Sequence, residues 1–288
     1  MPKVDNAVIL AAGTSSRFAP LSYEFPKALI PVKGEILIER QIKQLRFAGI
    51  HDIYVVTGYK AELFQYLTKK YNVILRYNPD YNVRNNNSSI KAVEDILKNT
   101  YICSADNYFV QNPFESIVDN AYYAAVYSPE STNEWCIQAD DNDVIQSVSI
   151  GGYKSWYMLG HTFWDQKFSD TFRHILDDEY DLPATADKLW EDIYIEHLNK
   201  LHMKIRKYPM EFIFEFDTLD ELRKFDTSYI DNTRSTILKK VSMQLHIHEG
   251  DLKKITCIKN THNNKAIGFS FEALNQKFTY YYDSGLQI

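Results

Sequence analysis

The sequence predicts an α/β protein with a Rossmann-like, mixed and mainly parallel sheet that is flanked by helices. In the first half of the chain, short apolar strands alternate with segments of helical period, which is typical of βαβ units. In the second half, strands follow one another with polar turns between them, which predicts an added antiparallel part. The 288 residues are enough for one large core and a small appendage. We therefore predict one domain at 1–228 and a small α/β or β appendage at 229–288.

The βαβ pattern begins near the N-terminus. The run NAVILAA at 6–12 is continuously apolar, as in a strand that is covered on both faces. The segment 34–50 has apolar residues at helical spacing, with Gly49 near its expected end. By the same reasoning we expect strands at 51–59, 73–78 and 100–109 and helices at 60–72 and 88–99. This order predicts a parallel sheet with right-handed crossovers.

The pattern changes after residue 120. We predict antiparallel strands at 121–128, 134–140, 144–150 and 155–164, helices at 167–180 and 185–201, and closing strands at 203–210 and 212–218. The run ADDNDV at 139–144 has the acid density of a calcium loop but lacks its central glycine and terminal glutamate, so it predicts a hairpin turn. The last part of the chain predicts a helix and then two strands around a polar hairpin.

Composition restricts the location and the partners. The formal net charge of −6 gives no overall attraction to nucleic acid or to anionic membranes. Three widely spaced cysteines form neither a disulfide framework nor a zinc motif, which suits a reducing compartment. No stretch is apolar over the length of a membrane span. We expect a cytoplasmic protein that binds neither nucleic acid nor membranes.

The turn after the first strand carries the clearest functional pattern. Gly13 lets the backbone approach a ligand closely, and Thr14, Ser15 and Ser16 add hydrogen-bond donors. Arg17 and Lys27 add positive charge, which can neutralise a polyphosphate and stabilise charge that builds up during transfer. The loop is neither a Walker A motif nor a GxGxxG motif.

The run LAAGTSSRFAPLSYEFPKAL at 10–29 resembles the LAAGxGSR…PK signature of nucleotidyltransferases that join a nucleoside triphosphate to a phosphorylated small molecule. The resemblance implies the nucleotidyltransferase fold and a triphosphate held by the loop Leu10, Ala11, Ala12, Gly13, Thr14, Ser15, Ser16 and Arg17. It also implies that Arg17 and Lys27 contact the triphosphate and that Lys27 stabilises the transition state. Ser15 stands where the usual signature has its second glycine.

The chemistry of such a transfer requires a counter-charge between two anions, and Mg²⁺ held by carboxylates and phosphate oxygens supplies it. Asp106 follows an apolar strand, and Asp217 occupies an equivalent place later in the chain. The resemblance implies that these two aspartates bind the metal and that Asp106 belongs to the catalytic centre. Glu215 is an alternative or second ligand, because strand alternation places it on the same side as Asp217.

Several later segments resemble the bacterial CTP:phosphocholine cytidylyltransferase group over roughly the first 230 residues: YNVRNNNSSI, SADNYF, STNEWCI, GHTFWD and LWEDIY. In that group the asparagine and serine segment lies beside the nucleoside, so Asn85, Asn86 and Ser89 are candidates for binding cytosine or ribose. Amide side chains carry both donors and acceptors, which suits a pyrimidine edge.

The acceptor pocket is predicted from the chemistry of a trimethylammonium group, which proteins hold with aromatic faces and a nearby carboxylate. All four tryptophans lie between 135 and 190. We expect Trp135 and Trp190 to line the pocket, with Glu191 or Asp192 as the anionic partner. Tyr108 and Tyr157 are weaker candidates.

The run IKNTHNNKAIGFSF at 258–271 resembles the start of the small lobe of choline kinase-like phosphotransferases. The other parts of that fold are absent, so the tail is not predicted to be a working kinase. Three alternatives stay open: the first piece of a longer fused enzyme, a remnant, or an element for packing or homodimer formation.

The sequence therefore predicts a Mg²⁺-dependent cytidylyltransferase that forms CDP-choline and pyrophosphate from CTP and phosphocholine. Within the same enzyme class, the alternative acceptors are 2-aminoethylphosphonate, phosphoethanolamine and a sugar 1-phosphate. The competing class is a non-catalytic nucleotide-binding regulatory module.

Overall fold

The computed structural model describes residues 2–261 and 265–287. The strands are, in chain order, β1 (Asn6–Ala11), β2 (Pro31–Val32), β3 (Glu35–Ile36), β4 (Ile53–Thr57), β5 (Ile74–Tyr77), β6 (Thr100–Ser104), β7 (Asn107–Phe109), β8 (Tyr122–Ala139), β9 (Ile145–Trp164), β10 (Lys204–Tyr208), β11 (Ile213–Glu215), β12 (Lys253–Lys259), β13 (Ala266–Ala273), β14 (Gln276–Tyr281) and β15 (Gly285–Gln287). The α-helices are α1 (Leu21–Glu24), α2 (Leu37–Phe47), α3 (Tyr66–Tyr71), α4 (Asn87–Lys91), α5 (Gln166–Glu179), α6 (Trp190–Glu196), α7 (Leu219–Phe225), α8 (Ser228–Asp231) and α9 (Thr236–Leu245). Within the described ranges, no helix is both long enough and apolar enough to cross a membrane.

The chain divides into two compact units, each built from two chain segments. The first unit contains residues 1–13 and 37–215, and the second contains residues 14–36 and 216–288. The predicted boundary at residue 228 stays a prediction, and this division groups residues 14–36 and 216–228 with the C-terminal part of the chain.

The first unit is organised around a seven-stranded mixed sheet with the strand order β10-β8-β9-β6-β1-β4-β5. The strands β6, β1, β4 and β5 are parallel, β9 is antiparallel to both β6 and β8, and β10 is parallel to β8. The predicted mixed and mainly parallel sheet is therefore confirmed. The carboxyl ends of β1, β4 and β6 lie side by side, which is where parallel sheets place ligand-binding loops.

Burial explains why these segments form the centre of the sheet. Ala7, Val8 and Ile9 of β1 are completely buried, as expected for a strand that is covered on both faces. In α2, Ile38, Ile42 and Leu45 are completely buried at helical spacing. Gly49 has φ +83°, a left-handed conformation that suits a helix end.

The antiparallel part is one long hairpin rather than the four short strands predicted. The strands β8 and β9 are 18 and 20 residues long and stay paired through several register shifts. The sequence predicts a polar turn at 129–133, but β-bulges accommodate the extra residues there and the pairing of the two strands continues. The predicted hairpin turn at 139–144 is confirmed, because the Asp140 amide donates to the Val144 carbonyl and the Asp140 carboxylate accepts from the Val144 amide, both at 2.9 Å.

Two predicted helices are shorter in the structure. The helix expected at 88–99 is α4 followed by a short 3-10 turn at 94–96, and the helix expected at 185–201 forms only over α6. Residues 185–188 are not available for a regular helix, because the Asn87 side-chain amide donates to the carbonyls of Thr185 and Lys188.

The second unit combines residues 14–36 with α7, α8, α9 and the four-stranded antiparallel sheet β12-β13-β14-β15. The predicted helix and the two strands β12 and β13 are confirmed, whereas β14 and β15 were not predicted. Residues 262–264, at the predicted polar hairpin, lie outside the described residues. The buried guanidinium of Arg223 donates to the carbonyls of Leu252 at 2.6 Å and Glu249 at 2.7 Å, which fixes α7 against the start of the sheet.

The turn after β1 contains a residue in an unfavourable conformation. Ser15 has φ +46° and ψ +46°, in the left-handed region where a Cβ atom is normally disfavoured. This is the position where the usual signature has glycine. The loop thus keeps the backbone shape that glycine would allow, at a conformational cost.

We expect Ser15→Gly to raise the free energy of unfolding by about 0.5–1 kcal/mol, because glycine adopts this conformation without strain. Urea denaturation measures the change. Thr14→Gly is the matched control: Thr14 is exposed and has no positive φ, so this change should lower stability. Equal effects of the two substitutions would contradict a strained Ser15.

A buried histidine lies in an aromatic cluster of the first unit. The Nε2 atom of His161 is 2.8 Å from the Tyr122 hydroxyl, and Tyr101, Phe109 and Phe114 surround its ring at centroid distances of 5.1–5.7 Å. Burial, helped by the nearby positive charge of Arg206, lowers the pKa of His161 to about 3. The folded protein therefore keeps this imidazole neutral throughout the physiological range.

This histidine makes folding sensitive to acid. Below pH 6.5 the His161 imidazole takes up a proton in the unfolded chain but stays neutral in the folded chain. The contribution of His161 to stability therefore falls as the pH drops towards 3. Between pH 7 and pH 5 the free energy of unfolding of the native protein should fall by about 2 kcal/mol relative to His161→Phe. Urea denaturation of both proteins at each pH measures the difference, and parallel pH profiles would show that His161 takes up a proton equally in the folded and unfolded states.

Candidate functional site

Three predicted site residues meet within the second unit. The Nη1 atom of Arg17 is 2.7 Å from Oδ2 of Asp217, and the Nζ atom of Lys27 is 3.8 Å from Oδ1 of the same carboxylate. Arg17 lies in a 3-10 turn at 16–18, Lys27 begins another at 27–29, and Asp217 follows the end of β11. The sequence separates the first two residues from the third by about 200 positions, and the fold brings them to one carboxylate.

The two cations differ in exposure. The Lys27 side chain is 5% exposed and its Nζ atom lies 5.8 Å from the centre of the Phe18 ring, whereas the Arg17 side chain is 75% exposed. A buried ammonium group is held in place by its surroundings and is poorly hydrated, so it interacts strongly with any anion that approaches it. Arg17 can follow a ligand, because an exposed ion pair contributes only about 0–1 kcal/mol.

Asp106 lies in the first unit, in the turn between β6 and β7. Its Oδ1 atom accepts a hydrogen bond from the Ser104 hydroxyl at 2.7 Å, and the neighbouring Ala105 amide donates to the carbonyl of Leu10 at 3.1 Å. The aspartate therefore directly follows a residue that is bonded to the end of β1. Glu215, the alternative ligand, accepts from the Asn107 side chain at 3.4 Å.

The donor chemistry of Asp106 and Asp217 suits a hard divalent cation. Carboxylate oxygens are the protein ligands that Mg²⁺ prefers, and one or two of them, completed by water and phosphate oxygens, make a normal Mg²⁺ site. No cluster of three or more histidine, cysteine, aspartate or glutamate side chains suited to a metal occurs among the described residues.

The predicted nucleoside-binding segment has a structural role as well. The Asn86 side chain accepts from the Trp190 amide at 2.7 Å and donates to Glu191 at 3.1 Å, and the Asn85 side chain donates to the Asp187 carbonyl at 3.0 Å. Ser89 is buried, and its hydroxyl accepts from Asn78 at 3.1 Å. The binding role of these three residues stays a prediction.

The structure distinguishes the two candidate anionic partners. Asp192 caps α6, because its carboxylate accepts from the Leu189 amide at 2.7 Å. Glu191 is half-buried, and its carboxylate accepts from Asn86 at 3.1 Å and from the Tyr123 hydroxyl at 3.3 Å. Burial raises the pKa of Glu191 to about 7. Glu191 is thus a poorly solvated acid, which is the kind of group that a cation would stabilise.

The aromatic candidates occupy different environments. Trp190 is 2% exposed and stacks on Tyr123, with ring centres 5.8 Å apart and an interplanar angle of 16°. Trp135 is half-buried on β8, opposite Ile150 of β9, and Tyr157 is half-buried on β9. Tyr108 is buried beneath the Arg40 guanidinium, which lies 4.5 Å from its ring centre. Their roles in an acceptor pocket stay predictions.

Sequence reasoning did not identify two residues that organise this region. Tyr123 links Glu191 to Trp190, and Asn78 holds the serines of α4. Asn78 carried a possible signal, since it directly follows β5 at the carboxyl end of the sheet. Tyr123 lies inside a run of apolar residues and carried none.

Similar proteins of known function identify the family of this chain. Residues 7–168 match the model of the MobA-like NTP transferase domain. The chain is 32% identical over 220 residues to the choline-phosphate cytidylyltransferase of Streptococcus pneumoniae, covering 76% of this chain and 96% of that protein. It is 34% identical over 239 residues to the 2-aminoethylphosphonate cytidylyltransferase of Lancefieldella rimae, covering 80% of this chain and 95% of that protein.

A solved structure of the CTP:phosphocholine cytidylyltransferase from Streptococcus pneumoniae superposes with a TM-score of 0.74 at 32% identity, covering 77% of this chain and 98% of that chain. The family model covers more than half of the 288 residues, and these relatives align over nearly their whole lengths. With its mixed sheet and its LAAGTSSR loop, the chain belongs to the MobA-like NTP transferase family.

Proposed function

We propose that this protein is a Mg²⁺-dependent cytidylyltransferase that forms CDP-choline and pyrophosphate from CTP and phosphocholine. The observation that carries the proposal is the buried Lys27 ammonium, which lies with Arg17 around one carboxylate in the signature loop region. The similarity to choline-phosphate cytidylyltransferases supports the choice of both substrates.

The proposed mechanism assigns the triphosphate to the two cations. Arg17 is exposed and binds phosphate oxygens in a bidentate manner, exchanging its pairing with Asp217 for the nucleotide. Lys27 is fixed before the nucleotide arrives, so it needs no reorganisation when negative charge develops on the α-phosphate and on the leaving pyrophosphate. The acceptor phosphate oxygen forms a bond to the α-phosphorus as the bond to pyrophosphate breaks.

Nucleotidyltransferases of this family generally use a divalent metal. We propose Mg²⁺ as that metal, with Asp106 and Asp217 as its protein ligands. When bound, it would neutralise phosphate charge and polarise the phosphoryl group. A metal at Asp217 would also compete with Arg17 and Lys27 for the carboxylate, which would leave both cations free to bind phosphate.

For the acceptor we propose that Glu191 provides the negative charge for the trimethylammonium group, with Trp135, Trp190 and Tyr108 as aromatic candidates. The second candidate acceptor is 2-aminoethylphosphonate, which the similarity to the Lancefieldella rimae enzyme favours. A primary ammonium needs several hydrogen-bond acceptors, whereas a quaternary ammonium needs aromatic faces and charge. A cytoplasmic location and homodimer formation through the tail stay predictions.

The test is pyrophosphate release with Mg²⁺, combining CTP, UTP, ATP or GTP with phosphocholine, phosphoethanolamine, 2-aminoethylphosphonate or glucose 1-phosphate. We expect turnover with CTP and phosphocholine. Loss of the fixed cation in Lys27→Met should lower kcat by about 10²–10³-fold, the usual effect of removing one preorganised donor. Lys240→Met, at an exposed lysine of the same unit, is the matched control and should retain activity. Selective turnover of 2-aminoethylphosphonate would replace the proposed acceptor, and CTP binding without turnover of any acceptor would favour a regulatory module.

The raised pKa of Glu191 leads to a pH-dependent affinity for the cation. Since the carboxyl group loses its proton as the pH rises through about 7, a trimethylammonium ligand should bind more tightly above that pH. Choline is a suitable probe because it has no group that titrates in this range. Its inhibition constant should fall about tenfold between pH 6 and pH 8, following the ionised fraction of a group with this pKa.

Glu191→Gln should abolish this pH dependence. Asp192→Asn is the matched control, because Asp192 caps α6: it should lower thermal stability but keep the pH dependence of choline binding. A flat profile in the native protein, or an unchanged profile in Glu191→Gln, would rule out Glu191 as the anionic partner.

A further inference from the structure

We propose that the C-terminal residues 226–261 and 265–287, called the tail in this subsection, hold the loop 14–36 in the conformation that binds the triphosphate. The inference rests on the proposed function, because it assumes that Arg17 and Lys27 bind the nucleotide. Tyr282 and Thr236 are assigned as positioning residues: they act on the nucleotide through the loop and do not touch it. The loop and the tail belong to the same compact unit.

The first attachment is a carboxylate at the start of a helix. Glu24, the last residue of α1, accepts through Oε1 from the Thr236 amide at 2.8 Å and from the Ile237 amide at 3.4 Å. The Thr236 hydroxyl also donates to this oxygen. These amides belong to the first turn of the ten-residue helix α9, where backbone N–H groups lack partners within the helix and favour a negative charge. The contact therefore ties α1 to α9 by a charge-assisted bond.

The second attachment is an aromatic stack. The rings of Tyr23 and Tyr282 lie 3.6 Å apart between centroids with an interplanar angle of 7°. Tyr282 follows β14, and its amide donates to the Ile267 carbonyl of β13 at 3.0 Å, so its backbone is part of the sheet. The sheet therefore presents a fixed aromatic face to the loop.

Two further bonds hold the other end of the loop. The Lys33 amide donates to the Asp226 carboxylate at 2.7 Å, and the Tyr229 hydroxyl donates to the Pro31 carbonyl at 2.5 Å. Lys27 lies between the two sets of attachments, three residues after Glu24 and four residues before Pro31. The segment that presents the buried ammonium is therefore fixed on both sides by residues of the tail.

Holding the loop in its binding conformation before CTP arrives affects the affinity for CTP more than the rate of the chemical step. If the attachments are lost, only a fraction of the molecules has the competent loop, and the apparent affinity for CTP falls by that fraction. Saturating CTP restores the competent conformation, so kcat should change little. A split between KM and kcat thus distinguishes positioning by the tail from a catalytic role.

The test uses Tyr282→Ala and Thr236→Ala in the full chain. We expect the KM for CTP to rise by about fivefold or more, with kcat within about twofold of the native value, as expected for a loss of preorganisation. Hydrogen exchange of the loop amides should become faster in both variants. Tyr282→Phe keeps the aromatic face and should restore both values. Glu272→Gln is the matched control, because it removes an exposed ion pair with Lys254 in the same sheet without touching the loop.

The exchange measurement does not require an active enzyme. Faster loop exchange in Tyr282→Ala, with no turnover even in the native protein, would support the tail attachment and refute the proposed function. Native turnover with unchanged KM and unchanged loop exchange in both variants would overturn the inference. If Tyr282→Ala fails to fold, Tyr23→Ala breaks the same stack from the loop side and leaves the sheet intact.

Discussion

The candidate site depends on keeping the Lys27 ammonium charged while its side chain is almost entirely buried. A buried charge is costly unless a partner compensates it, and the carboxylate of Asp217 is one such partner. Asp217 also pairs with Arg17, so two bases share this carboxylate. In a chain of net charge −6, these two bases place positive charge locally, in the signature loop region.

The two acidic residues at the start of α6, Glu191 and Asp192, lie in different environments. Glu191 is poorly solvated, and the side chains of Asn86 and Tyr123 donate to its carboxylate. Asp192, one residue later, has its charge used by the start of the helix. Two adjacent acids therefore have distinct tasks, because helix geometry turns one towards the backbone and the other towards Asn86. The sequence alone left the choice between them open.

The parts of the fold that follow from local periodicity were predictable, and the parts that follow from distant pairing were not. The buried strand β1 and the amphipathic helix α2 each carry their own signal. The length of the β8–β9 hairpin does not, because its polar run 129–133 has no local strand signal and pairs only across the sheet. For the site, the signature indicated Arg17 and Lys27, and the wider family resemblance indicated Asp217. The tasks of Asn86 and Tyr123 depend on partners about 70–105 positions away, which no local pattern encodes.

The residues proposed to bind the nucleotide and those proposed to bind the acceptor belong to different segments of the chain. The two cations Arg17 and Lys27 belong to the segment 14–36, whereas Glu191 and the aromatic candidates belong to the segment 37–215. Substitutions around Glu191 can therefore change the shape and charge offered to an acceptor without altering the residues that surround Asp217. The relatives fit this argument, because a choline-phosphate enzyme and a 2-aminoethylphosphonate enzyme resemble this chain about equally, at 32% and 34% identity. We therefore propose that acceptor choice depends on a few side chains around one half-buried carboxylate, whereas Arg17 and Lys27 carry the chemistry that is common to the different acceptors.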